Sequence, residues 1–242
     1  TSIMPLYFRP VVDFATTASF IHEISDGRFR FGIGVSHGTM LESRGLASGK
    51  PLFDTRKFVE DLRNAPRVGE LPPIILATLR KKMIALAEEI GQGMVFANGA
   101  KSHMQESLSV LSDEIRVNDD FFIGDMIPTC ISNDVEAAKA VNRKTLTSYA
   151  FLPNYRNYWK EAGYVEEMEG LEQCLADGDV DRVSYFLTDK WLADTTLFGT
   201  ASQVREGVEA WFDAGVKVPI LVPSSANGGQ MVAFEELFAI FD

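Results

Sequence analysis

Residues 27–40, "GRFRFGIGVSHGTM", carry the residue types that two different chemistries require. Gly32 and Gly34 begin the glycine pattern of a dinucleotide-binding loop. Gly34, Ser36 and Gly38 have the G-x-S-x-G spacing of a serine-hydrolase nucleophile turn. A third interpretation needs no chemistry, because glycines also let a strand end tightly beside a ligand or another stretch of backbone.

Both chemical patterns are incomplete in this chain. A dinucleotide loop requires a third glycine three residues after the second, and that position is His37. A hydrolase of this kind requires an acid and then a histidine further along the chain. Apart from the adjacent His37, only His103 follows Ser36, in mid-chain and before a predicted helix. A serine hydrolase using Ser36 is therefore kept only as an alternative.

Composition limits the class of protein and of partner. The 242 residues are 46% hydrophobic and 24% charged, enough for one large domain or two small ones. The net charge of −11 argues against nucleic acid and anionic membranes, and no apolar run approaches the roughly 20 residues of a membrane span. Cys130 and Cys174 form no C-x-x-C pattern and the three histidines are scattered, so no metal site is expected. We predict a protein of the reducing cytoplasm.

Strand-like apolar runs alternate with helical patterns along most of the chain. The predicted strands are residues 29–35, 74–77, 94–97, 121–131 with an interruption at Pro128, 197–199 and 218–222. The predicted helices are residues 52–63, 81–90, 102–114, a helix after the capping candidates Ser132, Asn133 and Asp134, 202–214 and 230–241. Residues 149–192 break this alternation and are predicted to form helices and an irregular insertion. Runs that are apolar throughout favour parallel strands in one α/β domain over residues 1–242, either a doubly wound sheet or a barrel.

Four blocks of sequence resemble one family in the same order. Residues 9–38, "RPVVDFATTASFIHEISDGRFRFGIGVSHG", are similar to the signature segment of the bacterial-luciferase-like oxidoreductases. Residues 72–99, 127–164 and 197–224 resemble the family's fifth and sixth strands, the segment after its seventh strand, and its last helix and strand. The resemblance covers essentially the whole chain.

This resemblance implies a fold and an activity. The fold is a (β/α)8 TIM barrel with its active site at the carboxyl ends of the strands. The activity is hydride transfer with coenzyme F420 or FMN as cofactor, or, with FMN, O2-dependent monooxygenation of a small organic substrate. Family members begin with two further βα units, so the resemblance also implies an N-terminally truncated barrel, lacking roughly 60 to 70 residues at about 30 residues per βαβ unit.

The resemblance assigns the first group of site residues to the cofactor ring. The Ser2-Ile3 bond matches the position of a non-proline cis peptide behind the ring. Gly32 and Gly34 would admit the ring, and Ser36 would line it rather than act as a nucleophile. His37 stands where deazaflavin-using relatives often have a glutamate, so it is the expected catalytic residue, able to donate a proton or orient the substrate.

Two further groups of residues follow from the same resemblance. The exits of the fifth and sixth strands would contact the ribityl chain and phosphate of the cofactor, through Thr78, Leu79, Arg80, Asn98, Gly99 and Ala100. Backbone N–H groups at Gly99 and Ala100, before a helix, would favour an anion there. Met40, Tyr149 and Tyr155 would line the substrate, with Tyr158 and Trp159 in the same aromatic cluster. A homodimer or higher homo-oligomer is expected, and a non-catalytic flavin-binding barrel is the second alternative.

Overall fold

The computed structural model describes residues 1–47 and 49–241. Within them the strands are β1 Met4–Pro5, β2 Phe31–Gly34, β3 Ile74–Ala77, β4 Gly93–Ala97, β5 Phe122–Ile131, β6 Leu197–Gly199 and β7 Val218–Ser224. The helices are α1 Val11–Ile24, α2 Gly38–Glu42, α3 Pro51–Arg63, α4 Lys81–Ile90, α5 Met104–Leu108, α6 Asp113–Val117, α7 Val135–Ala150, α8 Pro153–Glu161, α9 Val165–Ala176, α10 Asp189–Thr195, α11 Ala201–Asp213 and α12 Gln230–Phe238. Two 3-10 segments, Lys101–His103 and Val180–Phe186, complete the secondary structure.

The chain divides into two compact units. The first contains residues 1–96 and 107–123, and the second contains residues 97–106 and 124–242. The prediction of a single domain over residues 1–242 stays a prediction, and each unit is described by itself.

In the first unit, the strands are parallel and are connected by helices. β1 pairs with β2, β2 with β3 and β3 with β4, all in parallel. The whole of β2 is buried, as expected of a strand covered on both faces. The ring centroid of Phe14 in α1 lies 5.9 Å from that of Phe31 in β2 and 5.5 Å from that of Phe58 in α3. The buried faces of α1 and α3 therefore pack against each other and against β2 in the core of this unit.

In the second unit, β5 is the central strand. It pairs in parallel with β6 through Thr129 and Leu197, and with β7 from Gly124 opposite Val218 to Cys130 opposite Ser224. The helices after β5 contribute large side chains to the core of the unit: Trp159 of α8 and Trp191 of α10 are fully buried. Their rings meet edge to face at 4.7 Å. This favourable aromatic geometry makes the inserted helices part of the core of this unit.

Most of the predicted elements are confirmed. β3 and α4 have the predicted bounds, and every strand pairing named above is parallel, which confirms the α/β class. Asp134 caps α7 as predicted, since its carboxylate accepts the N–H of Ala137 at 3.1 Å. Two predictions were wrong. β5 continues through Pro128, which keeps its register opposite Val222.

The predicted helix 102–114 was also wrong. It is replaced by a 3-10 segment and two separate short helices, α5 and α6. Ser112 ends any continuous helix, because its hydroxyl accepts the N–H of Ile115 as the N-cap of α6.

Two surveys cover the described part of the chain. No helix there combines the length and the apolar character that crossing a membrane requires. The same residues contain no group of three or more His, Cys, Asp or Glu side chains that could hold a metal ion.

Candidate functional site

The glycines of the opening motif are required by the N-terminal residues of the chain. A Cβ on Gly32 would lie 2.0 Å from the carbonyl oxygen of Thr1. A Cβ on Gly34 would lie 2.8 Å from Ala77 Cβ and 2.9 Å from Ile3 Cδ1. The space beside both glycines is thus filled by the protein itself, and their contact with a flavin-like ring stays a prediction. The Ser2-Ile3 bond is cis, as the resemblance predicted.

The turn after β2 presents Ser36 and His37. Ser36 has a positive φ of 62°, and its hydroxyl donates to Met40 Sδ at 3.3 Å. His37 is half-buried at the beginning of α2, where its carbonyl accepts the N–H of Leu41 at 3.0 Å. Burial lowers the pKa of the His37 imidazole below its ordinary value. A neutral imidazole at pH 7 can accept a proton or orient a substrate by hydrogen bonding.

The exit of β3 brings Thr78 and Arg80 next to a helix start. The N–H of Thr78 donates to the carbonyl of Val95 at 2.9 Å and continues the pairing with β4. Thr78 is buried, and its Oγ1 has no hydrogen-bond partner among the described residues. Leu79 is half-buried and Arg80 is exposed, with an extended backbone at the N-cap of α4. The buried hydroxyl of Thr78 is therefore a donor and an acceptor that the protein itself leaves unused.

Residues 98–100, which we call the β4 loop, are held by the protein at almost every backbone polar group. Asn98 has a φ of 57°, in the left-handed region that non-glycine residues seldom adopt. Its N–H donates to the carbonyl of Met126 at 3.0 Å, and its carbonyl accepts the indole Nε1–H of Trp159 at 3.1 Å. Asn98 is 3% exposed, and its side-chain Nδ2 has no partner among the described residues.

The next two N–H groups of the β4 loop are also in use. The N–H of Gly99 donates to Asp125 Oδ1 at 3.3 Å, and the N–H of Ala100 donates to Tyr158 Oη at 3.0 Å. Ala100 is fully buried. The expectation that these two N–H groups form a ready anion site is therefore corrected, because both have acceptors inside the protein. In this loop the side-chain amide of Asn98 is the polar group left for a ligand.

Asp125 is a functional candidate that the sequence reasoning missed. It lies on β5 and is 0% exposed. Burial raises the pKa of its carboxyl to about 8, although hydrogen bonds from the backbone of Gly99 and Met126 act to lower it. Its Oδ2 has no hydrogen-bond partner among the described residues. The signal was available in the sequence, since Asp125 is the one carboxylic acid in the apolar run "FFIGDMIPTCI".

The predicted substrate-lining tyrosines lie together in the second unit. The rings of Tyr149 and Tyr155 meet edge to face at 5.1 Å, and Tyr155 lies 5.5 Å from the ring of Trp159. Tyr155 is buried, and burial raises the pKa of its hydroxyl above the ordinary value. Met40, in the first unit, is 43% exposed. The substrate-lining role of these residues stays a prediction.

A carboxylate further along the insertion, that of Asp194, binds Ser102, two positions after the β4 loop. Asp194 Oδ1 accepts the N–H of Ser102 at 2.8 Å, and Oδ2 accepts the hydroxyls of Ser102 at 2.6 Å and of Tyr164 at 2.8 Å. Beside this network is a cleft of about 450 Å³. Its lining comprises Ser102, Ala162, Gly163, Tyr164, Lys190, Ala193 and Asp194.

Comparison with known proteins defines the class. Residues 43–217 match the profile of the luciferase-like monooxygenase family, which is most of the chain, so the protein belongs to that family. It is therefore an oxidoreductase of the kind that works with a flavin or a deazaflavin.

Individual relatives give the particulars. The chain is 24% identical, over 88% of its length and 72% of the relative's, to 5,10-methylenetetrahydromethanopterin reductase of Archaeoglobus fulgidus. The structure of the coenzyme F420-dependent tetrahydromethanopterin reductase of Methanopyrus kandleri matches 99% of the chain and 82% of its own, with a TM-score of 0.74 and 14% identity. The structure of a type II Baeyer–Villiger monooxygenase of Pseudomonas putida, in complex with FMN, matches 91% of the chain and 71% of its own, with a TM-score of 0.52 and 15% identity. These likenesses show the luciferase-like TIM-barrel fold.

Proposed function

We propose that the protein is an oxidoreductase that transfers a hydride between coenzyme F420 and a small organic substrate. The relative from Archaeoglobus and the structure from Methanopyrus, which is named as F420-dependent, support the deazaflavin. The FMN-containing monooxygenase has a lower TM-score, 0.52 against 0.74, so FMN is the second choice of cofactor.

The observation that carries this proposal is a pair of buried polar atoms without partners. Thr78 Oγ1 and Asn98 Nδ2 both belong to residues that the family resemblance assigns to the ribityl chain and phosphate of the cofactor. Neither atom has a hydrogen-bond partner among the described residues. Leaving such a group unsatisfied costs about 1–3 kcal/mol. Each of them, a hydroxyl in the first unit and an amide in the second, can form a hydrogen bond with a hydroxyl group of a ribityl chain, and each by itself agrees with the proposed cofactor.

The bound cofactor would supply the carbon that gives or takes the hydride, and the deazaflavin restricts the chemistry to hydride transfer. The protein would contribute binding and proton handling. Thr78 and Asn98 would bind the ribityl chain, and Arg80 would place positive charge near the phosphate. His37, neutral at pH 7 because burial lowers its pKa, would accept or relay the substrate proton.

Substrate contacts and assembly are part of the same proposal. Tyr149, Tyr155 and Met40 would line the substrate, and Ser36 would line the ring of the cofactor. Aromatic side chains of this kind exclude water from a hydride-transfer site. We also propose a cytoplasmic homodimer or higher homo-oligomer. The net charge of −11 supports a small-molecule partner rather than nucleic acid.

A side-by-side fluorescence titration of the purified protein with coenzyme F420 and with FMN tests this proposal. We expect saturable binding of F420 at least ten times tighter than that of FMN. Tighter binding of FMN would replace the deazaflavin and open oxygen chemistry. Binding of neither cofactor by folded protein would overturn the proposed function.

A further inference from the structure

We infer that Tyr158 and Trp159 of α8 are positioning residues that set the shape of the β4 loop and so tune its affinity for the cofactor. The inference rests on the proposed function, because it takes Asn98 to be a cofactor contact. Neither aromatic residue is assigned a cofactor contact of its own. They act on the ligand through Asn98.

The first part of the argument is the hydrogen bond from Trp159 to Asn98. Trp159 is fully buried between Tyr155 and Trp191, at ring distances of 5.5 and 4.7 Å, so its indole has little freedom to move. Its Nε1–H donates to the carbonyl of Asn98, which has a left-handed backbone. Losing this donor would leave a buried carbonyl unsatisfied at the residue whose conformation already needs support.

The second part is the hydrogen bond from Ala100 to Tyr158. Tyr158 is 1% exposed, and its Oη accepts the N–H of Ala100 at 3.0 Å. The ring of His103 packs edge to face against Tyr158 at 5.7 Å. The acceptor is thus fixed by packing on both sides of the loop's end. With Gly99 bonded to Asp125, the loop has its N–H groups directed into the protein, which leaves the Asn98 amide for the ligand.

The hydrogen bonds that Tyr158 and Trp159 form with the β4 loop are long-range contacts in the sequence. The two hydrogen bonds join residues that are 58 and 61 positions apart, and the bonds from Ser102 to Asp194 join residues 92 apart. The conformation of the β4 loop is therefore held by the inserted helices together with β5, through contacts that are distant in sequence. A change in α8 should alter cofactor binding without touching the cofactor.

Two substitutions and two matched controls test the inference. Tyr158→Phe removes only the acceptor hydroxyl, and Trp159→Phe removes the indole donor. Tyr185→Phe is the control for the first, because Tyr185 is 76% exposed. Trp211→Phe is the control for the second, because Trp211 of α11 is also buried but belongs to a different helix from Trp159.

The first readout needs no ligand. Amide hydrogen exchange should become at least ten times faster at Ala100 in Tyr158→Phe, and across residues 98–100 in Trp159→Phe, with the same peptide unchanged in both controls. Unchanged exchange in the two test variants would overturn the inference, whatever the cofactor is.

The second readout is the dissociation constant for F420. We expect it to rise at least fivefold in Tyr158→Phe and less than twofold in Tyr185→Phe. In a double-mutant cycle, Tyr158→Phe should have no further effect once Asn98→Ala is present, because both act on one contact. Additive effects, or faster exchange with unchanged affinity, would overturn the positioning role. Wild-type protein that binds neither F420 nor FMN would instead overturn the proposed function and with it the ligand of this inference, while the exchange data would still decide whether α8 holds the loop.

Discussion

Asp125 and Gly99 are joined by a hydrogen bond of 3.3 Å, from the backbone N–H of Gly99 to Oδ1 of the fully buried carboxyl of Asp125. The other oxygen lies so close to the same glycine that a Cβ added to Gly99 would be 3.0 Å from it. A carboxyl in this position has only backbone N–H donors, from Gly99 and Met126, to stabilise its charge and is buried away from water. Its protonation state should therefore affect the stability of the folded protein.

The first prediction concerns Asp125→Asn and stability. Burial raises the pKa of Asp125 to about 8, while the unfolded chain has a value near 3.9. Between these values the folded protein holds one more proton than the unfolded chain, so its free energy of unfolding falls as pH rises, by about 1.4 kcal/mol per pH unit. The amide variant keeps an acceptor for Gly99 and lacks this titration. We would measure the free energy of unfolding in urea at pH 5 to 9. The difference between variant and wild type should shift in favour of the variant up to about pH 8 and stay constant above it.

An exposed aspartate provides the control for that series. Asp119→Asn should follow the wild type at every pH, because Asp119 is at the surface. A constant difference between Asp125→Asn and wild type across this range would mean that Asp125 is ionised throughout.

The second prediction tests whether Thr78 contacts the cofactor, by comparing the effect of one substitution on stability with its effect on cofactor affinity. Thr78→Val removes a buried hydroxyl that has no partner among the described residues, so stability should be unchanged or higher. Its dissociation constant for F420 should rise about 2- to 12-fold, the equivalent of one net hydrogen bond of 0.5–1.5 kcal/mol. Thr55→Val is the matched control, since Thr55 of α3 is equally buried and its Oγ1 is also without a described partner. It should share the stability effect and leave binding unchanged; equal binding in both variants would remove Thr78 from the site.

The third prediction concerns the titration of His37. Because burial lowers its pKa, the folded protein binds this proton more weakly than the unfolded chain. The free energy of unfolding should therefore rise with pH from the lowered pKa up to about 6.5, the ordinary value. NMR titration of the histidine ring signals, assigned with His37→Gln, should give a midpoint below that of a model peptide. A midpoint above 6.5 would contradict the burial argument, and a midpoint well above 7 would leave His37 largely protonated at neutral pH.

The fourth prediction tests the close approach at the second strand. Gly32→Ala would bring a methyl group to 2.0 Å from the Thr1 carbonyl, so residues before β1 must move away from β2. Such overpacking costs about 1–3 kcal/mol, occasionally more. Gly229→Ala, whose added Cβ meets nothing within 4 Å, should cost at most about 1 kcal/mol as an N-cap change. Urea midpoints of the two variants give the comparison, and equal midpoints would show that the N-terminal residues pack loosely on β2.

Local sequence signals were enough to predict many of the elements. The run 74–77 lies between Pro73 and a polar exit, and the helix 81–90 ends at Gly91, so both bounds could be read from neighbouring residues. The helix predicted over residues 102–114 failed because the capping hydroxyl of Ser112 competes with a continuous helical pattern. Helical spacing alone does not contain that competition.

The partners of the site residues could not be read in the same way. Family resemblance pointed to residues 98–100, and Asp125 was visible as a charge within an apolar strand. Nothing local indicates that Tyr158 and Trp159 bond to a loop 58 and 61 residues earlier, because that pairing exists only once the helices have packed. The glycines at 32 and 34 suggested a close approach, but only the fold identifies Thr1 and Ile3 as the groups that approach.

The attachment of the inserted helices to the β4 loop constrains how new catalysts could be made from this scaffold. Swapping residues 153–195 between family members is an obvious route to chimeras with altered substrate range. Such a swap would also exchange the three side chains, Tyr158, Trp159 and Asp194, that bond to residues 98–102. If the proposed function holds, a library that randomises the insertion while keeping these three residues constant should change substrate contacts and leave cofactor binding intact. Unrestricted recombination should weaken cofactor binding in many chimeras.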